Sequence, residues 1–133
     1  MKLSRKGEYA CLALVHLAKN YNLRLINATE ISEENNIPKR YLEQILSMLK
    51  GTGYVKTVRG ANGGYKLAKN PNEITLAEII RLIDGALAPV ESVSEYFYDN
   101  SPIEQNQNLI NVFKDIRNYI SNKLESTTIK DLI

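Results

Sequence analysis

The chain has 133 residues and a formal net charge of +2, one domain's worth of sequence, long enough to bury a core without disulfides or a structural metal. The single cysteine, Cys11, excludes an internal disulfide, a CxxC motif and a Cys/His metal cluster, so no metal, no cofactor and a reducing compartment are expected. The small net charge hides unlike halves, because residues 1–69 carry +7 and residues 70–133 carry −5, which makes the N-terminal half the one that faces a polyanion.

Lys2, Arg5 and Lys6 ahead of the apolar run Ala10–Val15 have the look of a signal peptide. Gly7 and Glu8 interrupt the boundary, His16 and Lys19 close the run early, and no small-x-small cleavage site follows. No other stretch approaches the ~18 apolar residues of a membrane span, so a cytoplasmic protein without a membrane partner is expected. Ser4 caps a first helix from Arg5 to about Asn20, in which Tyr9, Cys11, Leu12, Leu14, Val15, Leu17 and Ala18 wrap widely enough to be core on most sides. Cys11 reads as a small packed hydrophobe, and His16 as a surface or hydrogen-bonded residue with no general-base role. Arg5 and Lys6, in the first turn, are placed to reach phosphates.

A second helix opens at Asn27, with Glu30 reaching back in a capping box, and ends near Asn35 and Asn36. Pro38 then starts a third helix that runs to Gly51, a glycine stop. In it Tyr41, Leu42, Ile45, Leu46 and Leu49 recur at helical spacing and are expected to be buried, leaving Arg40, Glu43, Gln44 and Ser47 on the opposite stripe. Those are side chains that read base edges: a guanidinium suits guanine, an amide suits adenine, and a carboxylate accepts from the cytosine amino group. Lys39 and Tyr41, at the start of this helix, join the DNA-contacting set.

After Gly51-Thr52-Gly53 the period changes to two, with Val55 and Val58, and resumes at Tyr65-Lys66-Leu67. Asn62-Gly63 supplies the positive φ of a tight hairpin, with Arg59 at the tip for a narrow minor groove and Gly60, Asn62 and Gly63 beside it. Two short helices, a turn and this ribbon make a winged helix-turn-helix, a mainly α fold with a small β-hairpin wing, over residues 1–85.

Thr75 and Glu78 form a capping box on the next helix, Ile74 and Ile79 a hydrophobic staple, Leu76, Ile79, Ile80 and Ile83 point inward, and Gly85 ends it. Residues 86–100 lose periodicity and read as a connecting or sensor segment that offers Tyr96, Phe97 and Tyr98 to an effector or partner. In residues 101–133, Ser101 and Glu104 cap a helix running to about Glu125, ~35 Å long. Its stripe of Leu109, Val112, Phe113, Ile116, Tyr119, Ile120 and Leu124 exceeds what one small domain buries and predicts a two-fold homodimer, with Thr128 to Ile133 as a short closing helix. Paired carboxylates, a nucleophile with its base, and a P-loop are all missing, so an enzyme is not expected.

Leu3-Ser4-Arg5-Lys6-Gly7-Glu8-Tyr9-Ala10, Ile37-Pro38-Lys39-Arg40-Tyr41-Leu42-Glu43-Gln44, Val58-Arg59-Gly60-Ala61-Asn62-Gly63-Gly64-Tyr65, Asp84-Gly85-Ala86-Leu87-Ala88-Pro89-Val90-Glu91 and Thr127 to Leu132 together resemble the Rrf2 family of bacterial transcription regulators over nearly the whole chain. The resemblance implies a winged helix-turn-helix dimer on double-stranded DNA, with Glu43 reading a base, Arg59 in the minor groove and the long helix at the interface. Cluster-binding members carry three cysteines in the connection, where this chain has none and Ser92 stands about where the first would be. Without thiolates an iron-sulfur cluster has no adequate ligands, so the resemblance points to the cysteine-free branch that represses cysteine metabolism and answers to cysteine synthase. The competing expectation is a winged helix that serves mainly to bind such an enzyme.

Overall fold

The computed structural model describes residues 1–133. Ser4 accepts from the Gly7 N–H and starts α1 (Arg5–Lys19), whose Ala10, Ala13, Leu14 and Leu17 are essentially inaccessible to solvent. Around it pack α2 (Ala28–Asn35), α3 (Lys39–Gly51), the hairpin β1 (Val55–Val58) and β2 (Gly64–Leu67), and α4 (Leu76–Asp84). The winged helix-turn-helix expected from the sequence is therefore the observed fold. None of its helices is long and apolar enough to cross a membrane.

Local chemistry sets several boundaries differently from expectation. Asn27 caps α2 by accepting from the Glu30 N–H, but Glu30 does not reach back, because its carboxylate is taken by Arg24 and His16. Asn36 ends α2 in the left-handed region, and α3 follows directly after Pro38. Gly51 lies inside α3, and the chain turns at Gly53, φ +87°. In the wing, Val55 pairs with Leu67 and Val58 with Gly64, so the loop is Arg59 to Gly63. A loop of that length has no need of the two-residue turn read from Asn62-Gly63. The positive φ values fall instead at Gly60 and Gly64, and the Gly63 N–H closes the turn onto the Gly60 carbonyl at 3.0 Å. Gly63 is required for space, since a Cβ there would lie 2.0 Å from the Val58 carbonyl oxygen. The same register sets Lys56 opposite Lys66, both exposed.

The hairpin is fastened at both ends. Ile26 and Tyr65 exchange backbone hydrogen bonds of 3.0 and 2.7 Å. Tyr54 donates to Glu78 at 2.7 Å with the Lys69 ammonium over its ring, and burial followed by that bond pushes the Tyr54 hydroxyl up to about 12. Glu78 also completes the Thr75 capping box, as the sequence predicts, and Gly85 ends α4.

Beyond α4 the connection is irregular, with a 3₁₀ turn at Glu91–Val93 and Leu87, Ala88 and Val93 buried. The long helix is shorter than expected. Ser101 and Glu104 do form a capping box, but on a separate 3₁₀ turn, Pro102–Gln105; the chain then re-caps at Asn106 and α5 spans Gln107–Glu125, ~28 Å. The closing segment is also a 3₁₀ turn, Ile129–Leu132, and it returns to the N-terminal domain. Ile129 is fully buried in the same core as α1, its N–H bonded to the Ile74 carbonyl at 2.9 Å, while Thr128 bridges Thr75.

Candidate nucleic-acid interface

Leu42, Ile45, Leu46 and Leu49 anchor α3 in the core, which turns Arg40, Glu43, Gln44 and Ser47 outward together. Tyr41, expected to be buried, is 59% exposed. It stands about a quarter turn from the centre of the buried stripe, too far round to reach the core. Its ring instead helps line a cleft of about 400 Å³ with Arg5, Lys6, Tyr9, Gln44 and Ile45, which brings the basic first turn of α1 against the reading helix. Arg5 also lies 3.5 Å from Glu8, an exposed pair of little energetic weight.

The other flank of α3 borders the wing. A second cleft, about 480 Å³, is lined by Asn27, Lys50, Thr57, Arg59, Gly60 and Gly63 among others, so the end of α3, the start of α2 and the hairpin tip share one concave surface. Lys50 and Tyr9 belong to these surfaces and are not among the DNA-contacting residues expected from the sequence, which puts Tyr9 in the core, since only folding shows which cleft they border. Arg40, Glu43 and Arg59 make no ion pair within the chain. Lys39 and Asn62 are exposed at the start of α3 and in the wing loop.

Away from this face, α5 divides the apolar stripe into two. Ile120 and Leu124 pack on the cluster of Ala77, Ile80 and Leu87, and Phe113 on that of Ala88, Val93 and Ile110. Those three are thus used within the chain. Leu109, Val112, Ile116 and Tyr119 stay 41–73% exposed on the outer side. Tyr96, Phe97 and Tyr98 are exposed as expected; Tyr96 stacks under the Arg81 guanidinium, and Tyr98 donates to Glu104 at 2.5 Å.

The profile of a family described as "Iron-dependent Transcriptional regulator", Rrf2, matches residues 3–133. The chain belongs to the Rrf2 family. The transcriptional regulator CymR of Bacillus subtilis is 36% identical over 132 residues, covering 99% of this chain and 89% of that protein. Its solved structure, described as that of the global cysteine regulator of B. subtilis, superposes with a TM-score of 0.80 over 99% of this chain and 95% of that one. The structure of T. potens IscR, 31% identical, gives 0.77 over 99% and 85%.

The donor set of this Rrf2 chain does not suit an iron-sulfur cluster. Its one thiol, Cys11, lies in α1, pushed up to about 11 by burial and then by the charge of Asp84. In the connection the hydroxyl of Ser92 is buried and hydrogen-bonded to Ser101, and an alcohol is a poor ligand for such a cluster. One grouping of possible ligands does arise on folding, although the sequence reading excluded a metal site: His16 comes together with Glu30 and Glu34.

Proposed function

We propose that this Rrf2 protein is a homodimeric repressor that binds an inverted-repeat operator through α3 and the wing, without an iron-sulfur cluster. The observation that carries the reading is the outward stripe Arg40, Glu43, Gln44 and Ser47 on a helix flanked by two clefts edged with Arg5, Lys6, Lys50 and Arg59. Cations at the edges suit phosphates, and the central side chains suit base edges. Two such helices on a two-fold axis read a palindrome, and the exposed Leu109, Val112, Ile116 and Tyr119 on α5 supply a self-complementary face for that axis. Residues 1–85 then act as the DNA-binding part, 86–100 as the sensor, and 101–133 as the dimerisation part. The names of the relatives support control of cysteine or sulfur metabolism, and exposed Tyr96, Phe97 and Tyr98 offer a place for a small effector or for cysteine synthase.

Titration of the protein against operator and scrambled duplexes, with the operator taken from genomic fragments that the protein retains, tests this. Arg59→Ala should weaken operator binding by ~1–3 kcal/mol, whereas Glu43→Ala should relax base preference more than affinity, since it removes repulsion together with a base contact. Equal affinity of the unaltered protein for both duplexes would refute sequence-specific binding.

A further inference from the structure

On the far edge of α1, His16 is 8% exposed and faces two carboxylates from successive turns of α2. Its Nε2 lies 2.8 Å from Glu30 Oε2 and 3.6 Å from Glu34 Oε2, and the ligand atoms of all three residues fall within 4.8 Å of one another. A single imidazole N–H cannot serve both carboxylates, and the Glu34 carboxylate, 3.6 Å away, makes no hydrogen bond. A tetrahedral ion with bonds of ~2.0–2.1 Å holds its ligand atoms ~3.3 Å apart, a spacing that the two observed distances bracket. The group opens onto a cleft of about 270 Å³, room for water to complete the coordination.

The surroundings are those that orient a ligand set. Arg24 grips both oxygens of Glu30 at 2.8 and 2.9 Å and fixes the carboxylate plane. Asn35 holds His16 Nδ1 at 3.0 Å and is itself tied to the Ile31 carbonyl at 2.9 Å, which fixes the ring.

We infer that His16, Glu30 and Glu34 form a site for a divalent first-row transition ion, which ties α1 to the first helix of the helix-turn-helix. One imidazole with two carboxylates selects zinc, iron(II) or manganese(II) over calcium or magnesium. As the ion arrives at Nε2, the ring proton moves to Nδ1, and the Asn35 amide turns its oxygen to accept it at the cost of its bond to the Ile31 carbonyl. Arg24 Nη2 shares Glu30 Oε2 with the ion, so the arginine weakens binding while keeping the metal-free site ordered.

Zinc is the probe. Calorimetric titration of chelator-treated full-length protein should show uptake of one ion per chain, accompanied by a rise in melting temperature. Glu34→Gln, at a 64% exposed side chain, should leave the metal-free melting temperature unchanged and lower zinc affinity at least about tenfold. Arg24→Gln should raise it. In ¹⁵N spectra of the imidazole, zinc should convert His16 from the Nε2–H to the Nδ1–H tautomer. Absence of uptake at sub-millimolar zinc, uptake indifferent to Glu34→Gln, or His16 signals that zinc does not move would each overturn the site.

Discussion

Replacing Ile129 by alanine asks whether the C-terminal turn is a structural member of the N-terminal core. The side chain is fully buried in the core beside α1, in a segment held by Leu76 N–H to Thr127 and Ile129 N–H to Ile74, both 2.9 Å. Truncation removes three carbons, ~2.4 kcal/mol of transfer free energy at ~0.8 kcal/mol each, and leaves a cavity that backbone bonds on both sides prevent from collapsing. The expected loss is about 3–4 kcal/mol, or roughly 10–15 °C in melting temperature for a domain of this size. Urea denaturation followed by circular dichroism measures it, with Ile133→Ala, at a 47% exposed position, as a control expected within about 0.5 kcal/mol of the parent. A loss below about 1 kcal/mol for Ile129→Ala would mean that the turn is a dispensable tail and that α5 is tied to the winged helix at one end only.

Three further outcomes are expected. Gly63→Ala drives a Cβ into the Val58 carbonyl and should reduce operator affinity at least as far as Arg59→Ala in the same titration, with helical content unchanged. The hydrogen bonds of Arg24, then of His16, hold the Glu30 carboxyl down at about 2 from its ordinary 4.5, so it contributes stability that is complete above about pH 4.5 and drains away as pH falls toward 2; Glu30→Gln should flatten that part of the stability profile. Replacing Tyr96, Phe97 and Tyr98 together by serine should abolish retention of cysteine synthase on the immobilised protein while operator affinity stays within about tenfold, ~1.4 kcal/mol; loss of the dimer or of the fold would show that the aromatics pack instead.

What could be read in the sequence was what depends on neighbours along the chain. Ser4, Thr75 with Glu78, Gly85 and the buried stripe of α3 follow from short-range rules, and they place α1, α3 and α4. The errors lie where a residue had a choice of partners. Glu30 had the spacing of a capping box but found Arg24 and His16, one across a loop and one on another helix. Tyr41 satisfied a helical period, yet the side of the stripe it joined depended on how α3 packs against its neighbours. Lys50 gave no periodic signal at all, and Tyr9 gave only that of a core position. The same holds for His16, whose ligating neighbours are separated from it by the turn between α1 and α2.

Lys56 and Lys66, facing each other across the hairpin, are a like-charge pair that the free protein must tolerate. Such a pair concentrates a counter-anion from the buffer, and DNA laid along the wing would expel it. These two lysines should therefore steepen the dependence of binding on salt beyond what two isolated cations give. The identity of the buffer anion then matters as well as its concentration: at equal ionic strength, exchanging chloride for a bulkier, loosely held carboxylate leaves less to displace, and the protein should grip its operator more tightly.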